Sequence, residues 1–461
     1  MRLAARLATF SWSPFVLAVS VGCSNGTARV SARDGGGDAR VYRDGGPPGS
    51  EDGGSSDGDT AGDAGREAGG PDVTEPPVAL GPVSTGTDMI GATAADGTAL
   101  LVVTAGRNSG PFSSAHYEPS SGWTPMTTSQ LSTSGWGPIT ATALSMDAKG
   151  DAIFAWVAYE GSANGPKSVS GAARYDHLTG TWVSLGGPDC TNTEGVPPSV
   201  PVAVNASGDA LLACEGTTVN HYSATTQTWS TETIDPAANG AAIFGLSLSD
   251  TGPAVAIYGQ VYPSSLATRS ADGTWTLSPA SPACSQSGYY AAAIDAGGDL
   301  LLGLVSAGGS TLAGCYYAAA TRTWTGPSSL GSFSPNSGGT LTAALTQTGD
   351  GVLVAGRPGL VVYPYVQSSG TWSSPAGLAS VTGGVLALGP QGAGLAISGD
   401  GVDGGSTQEL RVQSYSLTTG WGPASAPIGS SDTSFIALVS PTGTGWAAWI
   451  DGGNAFVDRV R

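Results

Sequence analysis

From about Val78 the chain alternates short apolar runs with turns rich in Gly and Asp, and the alternation is periodic. A turn of the form Asp-x-x-Gly, or a degenerate version of it, ends at Gly97, Gly150, Gly208, Gly252, Gly298, Gly349, Gly392 and Gly443. The mean spacing is (443 - 97)/7, about 49 residues, the length of one supersecondary unit in a repeat array. Each marker turn lies between two apolar runs, as in Ala141-Thr-Ala-Leu-Ser-Met146, Asp147-Ala-Lys-Gly150 and Asp151-Ala-Ile-Phe-Ala-Trp156. It therefore predicts a hairpin, for which Asp or Asn ahead of Gly is well suited.

The strand after the marker is apolar on both phases: Ile153 and Phe154, Leu211 and Leu212, Leu301 and Leu302, Val352 and Leu353. A strand without a polar face has to be buried on both sides, inside stacked sheets. A second signature follows, fullest in Tyr175-Asp-His-Leu-Thr-Gly-Thr-Trp182. Its relatives run Tyr117 to Trp123, Tyr222 to Trp229, Arg269 to Trp275, Tyr317 to Trp324, Tyr365 to Trp372 and Tyr415 to Trp421. The signature predicts a third strand ending near the Tyr, a tight turn, and a fourth strand opening on the Trp. Four antiparallel strands per repeat make a propeller blade, so the fold class expected is all-β, a β-propeller.

Small residues stand five positions before the marker glycine at Ala92, Ser145, Ala203, Ser247, Ala293, Ala344 and Ala387, with Leu438 the exception. They mark the first strand as the innermost, crowded around a central channel. The last repeat, Ser434 to Arg461, has three candidate strands and no Trp strand, and Val78 to Ser84 is the segment that can supply it. Such closure pairs the two ends of the domain, removes sheet edges and gives eight blades, with seven or nine as alternatives.

Composition adds an address. Charged residues are 11% of 461 and glycines number 72, which suits short strands and turns and predicts little helix. The formal net charge is -18 and the only lysines are Lys149 and Lys167, so no basic surface exists to neutralise a phosphate backbone and nucleic acid is excluded as a partner. The thinly spread acidity reads as the solubility charge of an exported protein, with calcium binding the minor alternative.

Residues 1–22 read as an export signal: Arg2 and Arg6 precede an apolar run from about Ala8 to Val21, broken by Pro14 and too short to span a bilayer. The run ends in Val19-Ser20-Val21-Gly22-Cys23, which resembles the lipobox of bacterial lipoproteins, with Ser20 where Leu is usual. The resemblance implies lipidation of Cys23 and a membrane anchor in the cell envelope, expected at the outer membrane. Cleavage after Ala18-Val19-Ser20 and secretion is the alternative. Residues 23–77 are rich in Gly, Asp, Ser and Pro and cannot bury a core, so they are expected to be a disordered tether. Its roughly 54 residues from Ser24 give a flexible reach of about 40 Å. Residues 78–461 form the propeller domain.

Ser270-Ala-Asp272-Gly273-Thr-Trp275 resembles the Asp-box of sialidase-like repeats, one residue short, and the whole resembles bacterial surface propellers in layout. The likeness implies a blade layout, which hosts many activities. A sialidase would carry a Phe-or-Tyr-Arg-Ile-Pro motif, which is missing, and three convergent arginines, against eight arginines in the whole domain. No nucleophile elbow, phosphate loop or His-Glu-x-x-His helix is present either.

Without Cys23 four cysteines remain, in a compartment where disulfides persist. Cys190 and Cys284 occupy equivalent crossovers between blades, and their nearest partners in this layout are Cys214 and Cys315, giving Cys190 to Cys214 and Cys284 to Cys315. The first bridge gathers Asp189, Glu194 and Glu215, a candidate calcium or acid-base cluster set against ordinary solvated charge. The signature Tyr and Trp, one per repeat, are assigned to packing between blades. His116, His177 and His221 flank signature positions in separate blades and are assigned structural or exposed roles.

The marker and signature turns are short and uniform, whereas the connections on the opposite face vary: Ala158 to Ser168, Gly399 to Gln408, Thr124 to Pro138 and Gly186 to Pro198. Variable loops on a rigid frame carry function. Trp156, Tyr258 and Trp449 stand at equivalent positions where second strands approach that face, a candidate ligand platform set against buried packing. The reading that results is a non-enzymatic envelope lipoprotein binding or scaffolding polysaccharide or protein, with no catalytic residue and no cofactor assigned. A carbohydrate-active hydrolase or lyase, or a purely structural envelope protein, are the alternatives.

Overall fold

The computed structural model describes residues 76–83, 88–104, 111–129, 131, 139–162, 165–185, 201–213, 216–238, 241–249, 252–259, 265–278, 284, 290–295, 297–305, 311–333, 341–355, 360–378, 383–401, 408–431 and 434–460. Its strands form eight separate antiparallel sheets, one per repeat. Blade 2 shows the plan with Ile139–Met146, Ala152–Ser162, Gly165–Asp176 and Thr181–Ser184, each paired with the next. The first strand of every blade lies beside that of the next, and the first strand of blade 8, Phe435–Val439, lies beside that of blade 1, Asp88–Thr93. The ring is closed: the chain is an eight-bladed β-propeller.

The marker turns make this possible eight times over. All eight marker glycines have φ between 77° and 98°, a region that costs other residues strain. In every copy the glycine N–H donates to the carbonyl three residues back, and the first turn residue donates to the carbonyl after the glycine, as in Gly150 to Asp147 and Asp147 to Asp151. This is a type I turn followed by a left-handed residue, whose twist matches the hairpin it joins.

The doubly apolar second strands are buried as expected, and their two phases serve opposite neighbours. Phe154 packs into the seam with blade 1 and Ile153 into the seam with blade 3. Leu353 faces blade 5 and Val352 faces blade 7 in the same way. Each seam is thus a sheet-on-sheet core, and there is no separate centre. Leu438, the one bulky residue in the inner row, is accommodated by blade 1: a Cβ on Gly91 would meet its methyl groups at 2.9 Å.

The composite last blade is also as expected. Val78–Pro82 pairs antiparallel with Asn454–Val460 and completes the order outward from Phe435–Val439 through Gly445–Asp451. Leu80 enters the blade 8 to blade 1 core, its carbonyl accepts the Met126 N–H at 2.7 Å, and the Val83 N–H donates to Gly453 at 2.8 Å.

One loop reading needs correction. Ala158 to Ser168 is mostly strand: the second and third strands of blade 2 stay paired out to Ser162 and Gly165, so the segment is a hairpin arm. The strands of blade 7 likewise reach Gly401 and resume at Gln408. The sequence between Ala158 and Ser168 gave no signal strong enough to tell an extended hairpin from a loop. The signal, Cys23 and the tether as far as residue 75 lie outside the described residues.

Two stability outcomes follow. Leu80→Ala should cost about 2–5 kcal/mol in urea unfolding of the full chain, while Val78→Ala, at 45% exposed against 2% for Leu80, should cost under about 0.5 kcal/mol. Equal costs would mean that the closing strand is not part of the core. Gly314→Ala should destabilise by more than about 2 kcal/mol, because a Cβ there would lie 2.2 Å from the Trp372 ring of the next blade. At Gly370, where only a φ of 66° opposes a side chain, the same change should cost about 1 kcal/mol.

Candidate functional site

Tyr and Trp of each signature sit directly opposite one another on the third and fourth strands, in six blades. Their rings meet at nearly one geometry, from 5.5 Å and 52° at Tyr117 and Trp123 to 4.9 Å and 64° at Tyr415 and Trp421. The Trp packs against the preceding blade: Trp182 lies edge-on to Phe112 at 5.0 Å and donates to Ser114 Oγ at 2.9 Å. Trp229 and Trp421 donate to the carbonyls of Leu185 and Ala376 in the blades before them. These aromatic pairs are seam packing, the Tyr buried and the Trp half-buried in each.

Blade 4 replaces the Tyr with Arg269, and the preceding blade answers with Glu232. The guanidinium binds the carboxylate through two bonds of 2.8 and 2.6 Å and donates to the Gly252 carbonyl, and Trp275 Nε1 gives Glu232 a third bond at 2.8 Å. Burial alone would raise the Glu232 pKa, but the bonds from Arg269 and Trp275 outweigh it and hold the carboxyl below its ordinary value. His221 Nδ1 stands 3.6 Å from the same carboxylate. Burial, with the Arg269 charge beside it, keeps the His221 pKa low. Every group here is committed to another, which makes the cluster an inter-blade brace rather than a site.

A feature the repeat reading passed over is an aspartate just after four of the marker glycines. Asp151, Asp209, Asp299 and Asp350 each accept, at 2.8–3.0 Å, the backbone N–H that opens the signature turn, from His177, Ala224, Ala319 and Gln367. The Gly-Asp pair in sequence was the available signal. Asp151 also meets His177 Nδ1 at 2.9 Å and pairs with Arg174. Burial would raise the Asp151 pKa, and the bonds from His177 and Arg174 hold it low instead. The spacing is that of an acid-base pair, yet three equivalent aspartates do the same framework work without a histidine. His116 approaches this seam from blade 1, its ring 5.8 Å from that of Tyr175, and burial lowers its pKa.

The predicted site residues fare unevenly. Trp156, Tyr258 and Trp449 are 4%, 4% and 2% exposed, so none offers a ring face to a ligand. Trp156 stacks on Phe154 at 5.3 Å, Trp449 on Phe456 at 5.8 Å, and Tyr258 Oη donates to Asp235 in a crossover at 3.1 Å. The apolar residues leading each second strand carry these positions into the seams before the strand reaches the face. Cys284 and Cys315 are bonded as expected, beside Leu302 and Leu304. Cys190, Cys214, Asp189, Glu194 and Glu215 lie outside the described residues. Among the described residues no three His, Cys, Asp or Glu side chains are grouped to hold a metal ion.

What remains as the candidate surface is the face opposite the turns. There the described second and third strands reach different heights, from Ala213 and Thr218 in blade 3 to the blade 2 arm, still paired at Ser162 and Gly165.

No family model and no curated protein matches the chain. Among solved structures it is similar to the Dos1 propeller, with a TM-score of 0.48 and 10% identity over 82% of this chain and 96% of that one. It is also similar to the BP39L lectin from Burkholderia pseudomallei, at 0.46 and 16% over 75% and 100%. The β-propeller domain of Cps50 (Swd1) of Myceliophteria thermophila gives 0.40 and 14% over 68% and 96%. At these values the likeness adds nothing to the fold that the eight sheets establish.

The turns also make a prediction about pH. Burial pushes the Asp147 carboxyl up to about 6, against the N–H bond from Lys149 and with the Asp151 charge adding to it. Burial and the Asp299 charge raise Asp295 to about 6 as well. The unfolded values lie near 3.9, so the unfolded chain ionises first, and these groups lower stability as pH rises from about 4 to 6. Blade 3 holds Asn205 at the equivalent place, with its Oδ1 accepting the same N–H bonds from Ser207 and Asp209. Asp147→Asn and Asp295→Asn should therefore each stabilise by on the order of 1–3 kcal/mol at pH 7 and by almost nothing below pH 4. Urea midpoints at the two pH values check this; an equal effect at both would contradict it.

Proposed function

We propose that the chain is a cell-envelope lipoprotein, anchored through Cys23, whose propeller serves as a non-enzymatic binding or scaffold module for polysaccharide or protein. One observation supports the binding face: the two faces of the ring are built differently. On one, all eight marker turns close on themselves through the same two backbone bonds, leaving uniform hairpins. On the other, the strands reach unequal heights and the blade 2 arm continues past Ala158, where the pairing of its first strand ends among the described residues. Uniform turns serve the frame, and variable ends on a rigid frame are where ligands are discriminated. The fold itself is neutral between ligand classes.

The full chain applied to an array of glycans and envelope polysaccharides, with and without calcium, should be retained without shortening any of them. Replacing residues 160–167 with an Asn-Gly turn, which leaves the Tyr159 to Ser168 pair in place, should reduce that retention about tenfold or more with Tm nearly unchanged. Shortened products would replace the binding reading with a hydrolase or lyase. Retention unaffected by the arm would move the site elsewhere on the ring.

A further inference from the structure

Arg459 stands in blade 8 without the carboxylate that serves two of its equivalents. Strand register fixes the equivalence: Arg174 lies opposite Ile153 in blade 2, Tyr316 opposite Leu301 in blade 5 and Arg459 opposite Trp446 in blade 8, each partner three residues after its marker glycine. The Arg174 guanidinium pairs with Asp151, and the Tyr316 hydroxyl donates to Asp299 at 2.5 Å. Both acids are the residue just after the marker glycine. In blade 8 that residue is Thr444.

No other acid takes its place. None of the ion pairs among the described residues includes Arg459, and its Nε is buried with no hydrogen-bond partner. The neighbouring side chains add only donors. Trp446 is fully buried, Trp123 of blade 1 meets it edge-on at 6.3 Å, and both indole N–H groups are buried and unpartnered. Where Trp182 donates to Ser114, register puts Val457 in blade 8, so Trp123 meets an apolar residue. This end of the blade 8 to blade 1 seam thus holds a cation and two N–H groups with no acceptor. Arg269 shows what a guanidinium in a seam needs: a carboxylate across from it and a carbonyl beside it.

The place is open to a small molecule. Arg459 is half-buried, and at Gly443 and Gly122, in the blade 8 marker turn and the blade 1 signature turn, an added Cβ would meet nothing within 4 Å.

We infer that Arg459 is the anchor of a binding site for a small monocarboxylate, which takes the place that Asp151 and Asp299 fill in their own blades. A carboxylate is the anion this frame already holds there, and its two oxygens match the edge of a guanidinium. The net charge of -18 selects against polyanions, so the ligand carries a single charge, either free or on one acidic sugar. The site belongs to the turn face and is independent of any ligand on the variable face.

The test is saturation-transfer NMR on the full chain at pH 7 and constant ionic strength, with acetate and glucuronate as probes. Acetate should receive magnetisation from the protein, and the signal should fall about fivefold or more in Arg459→Gln, which removes the charge-assisted bonds. Thr444→Asp should abolish the signal to the same extent by supplying the acid from within, with a Tm at or above that of the unaltered chain. Glucuronate following the same pattern more strongly places the carboxylate on a sugar, and acetate alone responding makes it free; both support the site. Equal signals in all three proteins, or none from either probe, overturn it. A signal that Arg459→Gln removes and Thr444→Asp leaves intact overturns the placement, and inorganic phosphate displacing acetate at equal concentration overturns the ligand class.

Discussion

The constraint on which everything else depends is that no blade can bury its own surface. Each second strand is apolar on both phases, and its two phases feed the seams on opposite sides, as Phe154 and Ile153 do. A blade with one neighbour missing would expose a full sheet face to water, at about 25 cal/mol for each Å² of apolar area. Stability is then a property of the closed ring, and the short strand Val78–Pro82 matters far beyond its length because it closes the last sheet.

Seams tolerate chemical variety so long as both sides change together. Six blades use a Tyr and Trp pair, whereas blade 4 uses Arg269 with Glu232 reaching over from blade 3. The volume is similar, but a charge in place of a ring has to be neutralised and hydrogen-bonded on every side, which the Gly252 carbonyl and Trp275 complete. Likewise Leu438 enters the inner row only where Gly91 makes space. Compensation across a seam, rather than within a blade, is how a degenerate repeat keeps a regular ring.

Most of the architecture was legible in the sequence because it is periodic: eight marker glycines, seven signatures and a last repeat short of one strand pointed to eight blades and their closure, with seven or nine left as alternatives that the eight sheets decide. The Glu232 and Arg269 brace was not legible, since it joins residues 37 apart in different repeats and Glu232, unlike the signature Arg269, belongs to no motif. The aspartates after the marker glycines were visible as Gly-Asp pairs but had no assigned partner until the signature turn was in place beside them. Trp156, Tyr258 and Trp449 share a sequence position, and that position proved to be a depth in the seam rather than a place on the face. A binding surface formed by strand ends has no sequence signature, because what defines it is the failure of the repeat to be regular.

The most direct measurement of ring closure is native-state hydrogen exchange on the full chain, read at the amides that tie the closing strand in place. Met126 donates to Leu80 and Val83 to Gly453, while Leu185, donating to Ala172, and Ser373, donating to Pro364, belong to ordinary blades. If the ring is one cooperative unit, the first two amides should open only with global unfolding, at the same protection as the second pair. Fast exchange confined to Met126 and Val83, with the other blades still protected, would contradict the account: the composite blade would then be a loosely laid flap on a ring that holds together without it.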